Sequence, residues 1–239
     1  MIVEGKNIVC ELLNSNQKIE KILISNKKNE DINKILDKAN RQGIKVEQVD
    51  ANTLDKIAGT KAQGVIAFIP NFKYMELEDV LLEAKRKGEN PFIVILDGIV
   101  DPHNLGAIIR TCECAGVHGV IIPENRACEI NGTVYKTSAG AVAHMKVVMV
   151  TNLTRCIQQL KKEGVWVYAL EAGNKDIYSA DFKYPTALVI GSEGKGVSRL
   201  VKDNCDEILS LNMYGKVNSL NASNAAAIAI YEVVRQRSK

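Results

Sequence analysis

Several functions need features this chain has little of. Aromatic residues make up 5% of the 239 positions, with one tryptophan, too few rings for a stacking platform along single-stranded nucleic acid. No apolar run approaches the ~20 residues that cross a bilayer as a helix. The start, Met1-Ile2-Val3-Glu4-Gly5-Lys6-Asn7, lacks the basic segment and apolar core of a secretory leader. The expectation is a cytoplasmic protein with no membrane partner. Among the six cysteines (Cys10, Cys112, Cys114, Cys128, Cys156, Cys205) there is no C-x2-C pair, so zinc-ribbon and thioredoxin-like readings lack their basic unit. Cys112, Cys114 and His118 find no fourth ligand nearby, and buried reduced thiols are favoured over a metal site. The net charge of +3 is spread without a basic arm, so charge neither demonstrates nor excludes a nucleic-acid partner.

What is present is the mixture of a globular protein, 46% hydrophobic and 25% charged, long enough for one large or two modest domains. Residues 1–70 read as a compact α/β module. It has a helical pattern over 7–13, a strand over 19–24, and a helix over 31–42 with Ile32, Ile35, Leu36 and Ala39 on one face. An alternating strand over 44–49 follows, then a buried strand over 64–69 stopped by Pro70. Residues 71–90 are polar, with a short helix over 76–87 and breakers at Gly88, Asn90 and Pro91, and are expected as a linker. From Pro91 onward strands alternate with helices. Strands are expected over 92–96, 117–122, 146–150, 165–170, 187–191 and 207–210, and helices over 105–115, 153–163, 196–203 and 221–236. Nearly continuous apolar strands such as Phe92-Ile93-Val94-Ile95-Leu96 imply a parallel sheet covered on both faces, an α/β fold. Such sheets bind ligands where loops leave the carboxyl ends of strands.

Three of those loops carry chemistry-bearing residues. In the first, Asp101-Pro102-His103-Asn104-Leu105-Gly106 leads into a helix bearing Arg110. On one continuous helix Asn104 and Arg110 lie roughly 120° apart, so they share a site only if Asn104 belongs to the cap or loop. The alternative makes Asn104 a plain N-cap and Arg110 a solvated charge. His103 and His144 read as structural. The second loop, Gly191-Ser192-Glu193-Gly194-Lys195-Gly196-Val197, has the glycine spacing of a phosphate-binding loop. It puts Val197 where the essential lysine belongs and a carboxylate where phosphate oxygens would sit, so a nucleotide-hydrolase reading fails. It is either a site loop for a cationic or hydroxyl-bearing ligand or a plain glycine-rich turn. In the third, Asn218, Ser219, Asn221 and Ser223 crowd a helix start, more small polar residues than one cap requires.

Together these segments resemble the three signature motifs of the SpoU, or TrmH-like, family of RNA ribose 2′-O-methyltransferases, in the SPOUT superfamily. The motifs cover essentially all of residues 91–239. Residues 1–70 resemble the small ribosomal-protein-like RNA-binding module that precedes the catalytic domain in many members. The whole chain is most similar to the RlmB-type subgroup, which methylates a guanosine ribose in large-subunit (23S) rRNA. The resemblance implies a catalytic domain over 91–239 with a trefoil-knotted parallel sheet, S-adenosylmethionine as methyl donor, and a homodimer that completes the site. It implies Asn104, Arg110, Glu193, Ser219 and Asn221 as catalytic residues. Leu170 with its loop, Gly191, Leu211 and Leu220 would contact the cofactor, largely through backbone.

The reaction sets its own demands. A ribose hydroxyl is a poor nucleophile, and aligning it in line with a sulfonium methyl can lower a barrier by roughly 7–11 kcal/mol. No metal is called for. Arginine keeps its proton, so Arg110 is better read as stabilising developing alkoxide charge than as the base, a role for which Glu193 is the alternative. A 2′-hydroxyl acceptor implies RNA rather than DNA. Two other readings remain open: a tRNA guanosine 2′-O-methyltransferase, and a non-catalytic RNA-binding ribosome-assembly protein. For the latter, Lys85-Arg86-Lys87 with Lys18, Lys21, Lys27 and Lys28 would contact RNA.

Overall fold

The computed structural model describes residues 1–15, 17–26, 30–173 and 175–238; Lys27 and Lys28 fall outside them. The chain forms two compact units, Met1–Lys73 with Ile130–His144, and Tyr74–Glu129 with Met145–Lys239.

The first unit begins with β1 (Ile2–Glu4), α1 (Lys6–Asn14), β2 (Lys21–Ser25), α2 (Glu30–Arg41), β3 (Val46–Val49), α3 (Ala51–Ala58) and β4 (Val65–Phe68). Its four-stranded sheet has the order β1-β4-β2-β3, with β2 and β3 parallel and β4 antiparallel to both its neighbours. The apolar stripe of α2 buries Ile32, Ile35 and Ala39. Two elements, β1 and α3, carry no strong periodicity. The helix α3 starts because Asp50 caps it, accepting from Thr53 N at 3.0 Å, and its one buried side chain is Leu54.

Further along come α4 (Leu77–Lys87), β5 (Phe92–Asp97), α5 (Pro102–Cys114) and β6 (Gly119–Pro123) of the second unit. The helix α6 (Gly132–Thr137) then returns to the first unit. There the buried Tyr135 donates its hydroxyl to Gln17 Oε1 at 2.5 Å, and Lys136 meets Glu4 at 2.5 Å. Burial pushes the Tyr135 hydroxyl up to about 12. His144 pairs with Glu11 at 2.9 Å in the same unit. The second unit is completed by β7 (Val147–Val150), α7 (Leu153–Lys162), β8 (Trp166–Leu170), β9 (Thr186–Gly191), α8 (Arg199–Asn204), β10 (Glu207–Leu209) and α9 (Ala222–Arg237). Its six strands are all parallel, in the order β10-β8-β9-β5-β6-β7.

Three boundaries differ from the sequence expectation. Residues 71–90 are not an open linker: α4 buries Leu77, Val80 and Ala84, and Leu77 and Val80 join Ile93, Ile121 and Ile157 in the core of the second unit. Its polar composition reflects one solvated face. Residues 130–144 fold with the first unit rather than the second. The helix α5 starts at Pro102, capped by Asp101, which accepts from His103 N at 2.9 Å. Pro at the first helical position costs no hydrogen bond, because that N–H has no intrahelical partner anyway. Asn104 therefore lies inside the helix and is not its cap.

Candidate active site

The site lies at the carboxyl ends of β8, β9 and β5, three adjacent strands of the second unit. Register puts Leu170 beside Ile190 and Asp97 beside Gly191, so the loops after β8 and β5 flank the one after β9. That middle loop folds into a hairpin. Ser192 N donates to Gly196 O at 3.2 Å, and Gly196 N to Ser192 O at 2.9 Å. A Cβ on Gly191 would fall 2.1 Å from Gly196 C, and one on Gly196 would fall 2.2 Å from a Glu171 carboxylate oxygen. The two glycines thus let the hairpin close on itself and on Glu171. Their phosphate-loop spacing has a backbone-packing cause.

Side chains from α5 and from the start of α9 meet at this hairpin. Asn104 donates from Nδ2 to Glu193 Oε1 at 2.9 Å. Asn221 Nδ2 lies 3.0 Å from Asn104 Oδ1 and also donates to Glu193 Oε1. Ala222 N, at the start of α9, approaches the same oxygen at 3.4 Å. Asn221 is also the helix cap: its Oδ1 accepts from Ser223 N at 3.0 Å and Ser223 Oγ at 2.5 Å. One side chain therefore sets the start of α9 with its oxygen and holds Glu193 with its nitrogen. Glu193 Oε1 is committed to N–H donors, while no hydrogen bond to Oε2 occurs among the described residues.

Beside the cluster opens a cavity of about 610 Å³, lined by Leu170, Glu171, Gly191, Glu193, Leu211, Ser219, Leu220 and Asn221, among others. That is the size range of small-molecule sites. Four glycines, Gly173, Gly191, Gly194 and Gly196, are among its lining residues.

Arg110 is not part of this cluster. It is exposed on α5, and its side chain makes no hydrogen bond or ion pair among the described residues. Because α5 is continuous from Pro102, Arg110 sits six residues past Asn104, roughly 120° round and about 9 Å along the axis. Asn104 reaches Glu193 and Arg110 faces elsewhere, so a single chain does not bring the two together. His103 is exposed on the first turn of α5. Sequence reasoning left out the parts of Glu171 and Asp97, which accept backbone N–H groups of residues 197 and 198. No local signal marks them, since both contacts depend on strand order.

A second cavity, of about 700 Å³, opens at the opposite end of the sheet beside His118 and Arg237. There His118 bonds Phe92 N and Glu89, and Arg237 bonds four backbone carbonyls, so both side chains are taken up by the fold. Among the described residues no three His, Cys, Asp or Glu side chains gather as metal ligands.

Comparison with known proteins gives consistent matches along the whole chain. Residues 91–231 match the model of the SpoU rRNA Methylase family, and residues 2–75 match the model for RNA 2'-O ribose methyltransferase substrate binding. A Bacillus subtilis (strain 168) protein named "Putative TrmH family tRNA/rRNA methyltransferase YacO" is 44% identical over 237 residues, covering 98% of this chain and 95% of that protein. A Staphylococcus haemolyticus protein named as a TrmH family tRNA/rRNA methyltransferase is also 44% identical, over 99% of this chain and 96% of its own length. Among solved structures, the SpoU methyltransferase AviRb from Streptomyces viridochromogenes, in complex with AdoMet, superposes with a TM-score of 0.85 at 23% identity. That match covers 100% of this chain and 90% of AviRb. The A. aeolicus TrmH/SpoU tRNA modifying enzyme matches 66% of this chain and 84% of its own, with 28% identity and a TM-score of 0.57.

Proposed function

The chain belongs to the SpoU/TrmH family of RNA 2′-O-ribose methyltransferases, and we propose that it transfers a methyl group from S-adenosylmethionine to the ribose 2′-hydroxyl of a guanosine in 23S rRNA, as a homodimer. The observation that carries this reading is the meeting of Asn104, Glu193 and Asn221, the last two of which line a cavity of small-molecule size. The cavity suits S-adenosylmethionine in volume, and glycines from two of its loops are among the lining residues. Leu170, Gly191, Leu211 and Leu220 would hold it. Bound there, it supplies an electrophilic methyl carbon on a sulfonium.

This chain's own residues then have positional and electrostatic work. Asn104 and Asn221 fix the Glu193 carboxylate through Oε1, leaving Oε2 to orient a hydroxyl at the cavity mouth. Ser219, on the cavity wall, offers a hydroxyl to the ribose. Arg110, exposed and without a partner of its own, would enter the site of the other subunit. There its guanidinium, engaged by a backbone phosphate, stabilises charge developing on the 2′-oxygen. Homodimerisation is then a catalytic requirement. The trefoil knot and a catalytic domain over 91–239 belong to the same reading. So does residues 1–70 acting as the RNA-binding module, which the 2–75 match supports. A cytoplasmic location belongs to the same reading, and no helix among the described residues is long and apolar enough to cross a membrane.

The names of the relatives include both tRNA and rRNA, so tRNA is the second substrate reading. Mapping 2′-O-methylation on both RNAs from cells with and without this protein separates them. The expected result is the loss of one methylated guanosine in 23S rRNA. Loss confined to tRNA transfers the assignment there, and no lost ribose mark refutes both.

A further inference from the structure

We propose that Glu171 is a positioning residue of this site: its carboxylate clasps the 191–198 hairpin from the cavity side and so fixes Glu193. The argument begins with strand order. β9 lies between β8 and β5, so the hairpin that follows it emerges between two loop starts. Each neighbour supplies a carboxylate at that point. Glu171, the first residue after β8, accepts from Val197 N at 2.8 Å. Asp97, the last residue of β5, accepts from Ser198 N at 2.7 Å. Consecutive backbone N–H groups are therefore held from opposite sides.

The Glu171 contact is built into the glycine pattern. The carboxylate lies so close to Gly196 that any Cβ there would overlap it, and Gly196 holds a φ of +63°, which L side chains rarely adopt. Lys202 Nζ, on α8, stands 3.9 Å from the same oxygen. The carboxylate also lines the cavity that holds Leu170, Gly191 and Glu193. No hydrogen bond to its second oxygen occurs among the described residues.

A hairpin closed only by the Ser192–Gly196 pair would leave Glu193 on a short, solvated turn. Clasped at Val197 and Ser198, it presents Glu193 to Asn104 and Asn221 in one geometry. This inference rests on the proposal that the cavity takes S-adenosylmethionine, but the clasp itself is testable without it.

The test uses the full-length protein and three substitutions. Glu171→Gln keeps the reach and an acceptor oxygen; Glu171→Asp keeps the charge but falls one methylene short; Glu171→Ala removes both. Amide hydrogen exchange at Val197 should speed roughly tenfold or more in the Asp and Ala variants, as expected for losing a hydrogen bond to a charged group. Ser198, held by Asp97, should change less. Calorimetric binding of S-adenosylmethionine should weaken, and kcat should fall, roughly tenfold in Asp and Ala and only about threefold in Gln. If all three match the wild type in exchange at Val197 and in kcat, the clasp is refuted. If Asp retains function better than Gln, the charge rather than the reach matters, and the clasp is again wrong. Absence of S-adenosylmethionine binding to the wild type would instead overturn the cofactor reading, with Val197 exchange still deciding on the clasp. Should the Ala variant not fold, the Gln and Asp pair decides alone.

Discussion

The two ends of the six-stranded sheet solve opposite problems with polar side chains. At the carboxyl ends of the strands, Asn104, Glu193 and Asn221 are solvent-accessible and hold one another across loops far apart in sequence. At the amino ends, polar groups are turned inward and hold backbone. Arg237 donates to the carbonyls of Phe182, Asn90, Pro91 and Tyr184 at 2.6–3.2 Å, and its guanidinium lies 5.2 Å from the Phe92 ring centre. The side chain of His118 is 1% exposed; Nδ1 accepts from Phe92 N at 3.0 Å and Nε2 lies 3.1 Å from Glu89. Both residues have their pKa lowered by burial. One end leaves polar groups open to solvent; the other uses them up as structural ties. Substitutions of Asn104 or Glu193 should change rate with little change in stability, Asn221 also caps α9 and should change both, and substitutions at the second end should change stability without rate.

The largest expected effect tests the first half of that contrast. Asn104→Ala and Arg110→Ala should each lower single-turnover methyl transfer by about 10²–10³-fold, with melting temperatures close to wild type. Near-normal turnover in either would remove that residue from the site. Equal mixtures of the two variants should regain transfer, because a mixed dimer holds one intact site; no recovery would break the inter-subunit role of Arg110.

Next in size is Arg237→Ala, which strands several carbonyls at once. Urea unfolding should show a loss of about 2–4 kcal/mol, while kcat at 25 °C stays within about threefold. A large loss of rate in the folded variant would mean that the two ends are coupled.

A smaller effect concerns pH. Free histidine titrates near 6.5, and burial holds His118 below that. As pH falls through 6.5 toward the lower folded value, the unfolded chain takes up a proton that the folded chain does not, so stability drops. The urea midpoint should therefore fall more between pH 7.5 and 5.5 in the wild type than in His118→Gln. The same fall in both would show that His118 does not stay neutral on folding. The smallest effect is expected for Asn90→Ala, which loses one exposed bond to Lys183 O at 2.8 Å and about 0.5–1 kcal/mol.

The contrast also marks what the sequence made legible. The parallel sheet was readable because its central strands are apolar runs and its longer helices carry apolar stripes, as in Phe92–Asp97 and in α7 with its buried Leu153, Cys156, Ile157 and Leu160. The three loops stood out because they crowd small polar and acidic residues at strand ends. The start of α5 two residues before Asn104 is marked locally, by Asp101 as cap and proline at the first helical position, although the apolar stripe begins only at Leu105. Local pattern could not show that α6 returns to the first unit, or that Glu171 and Asp97 grip one hairpin. These depend on which strands lie side by side, a long-range property. The place of Arg237 in the last turn of α9 suits the helix dipole, but its four carbonyl partners come from two loops that no periodicity connects.

The most direct test of the central claim is the chemical position of the transferred methyl group. Wild-type protein incubated with methyl-labelled S-adenosylmethionine and unmodified rRNA should place label in alkali-resistant dinucleotides, and Asn104→Ala should place almost none. Label released by alkali in single nucleotides, as from a methylated base, would contradict the account, and so would equal labelling by the variant.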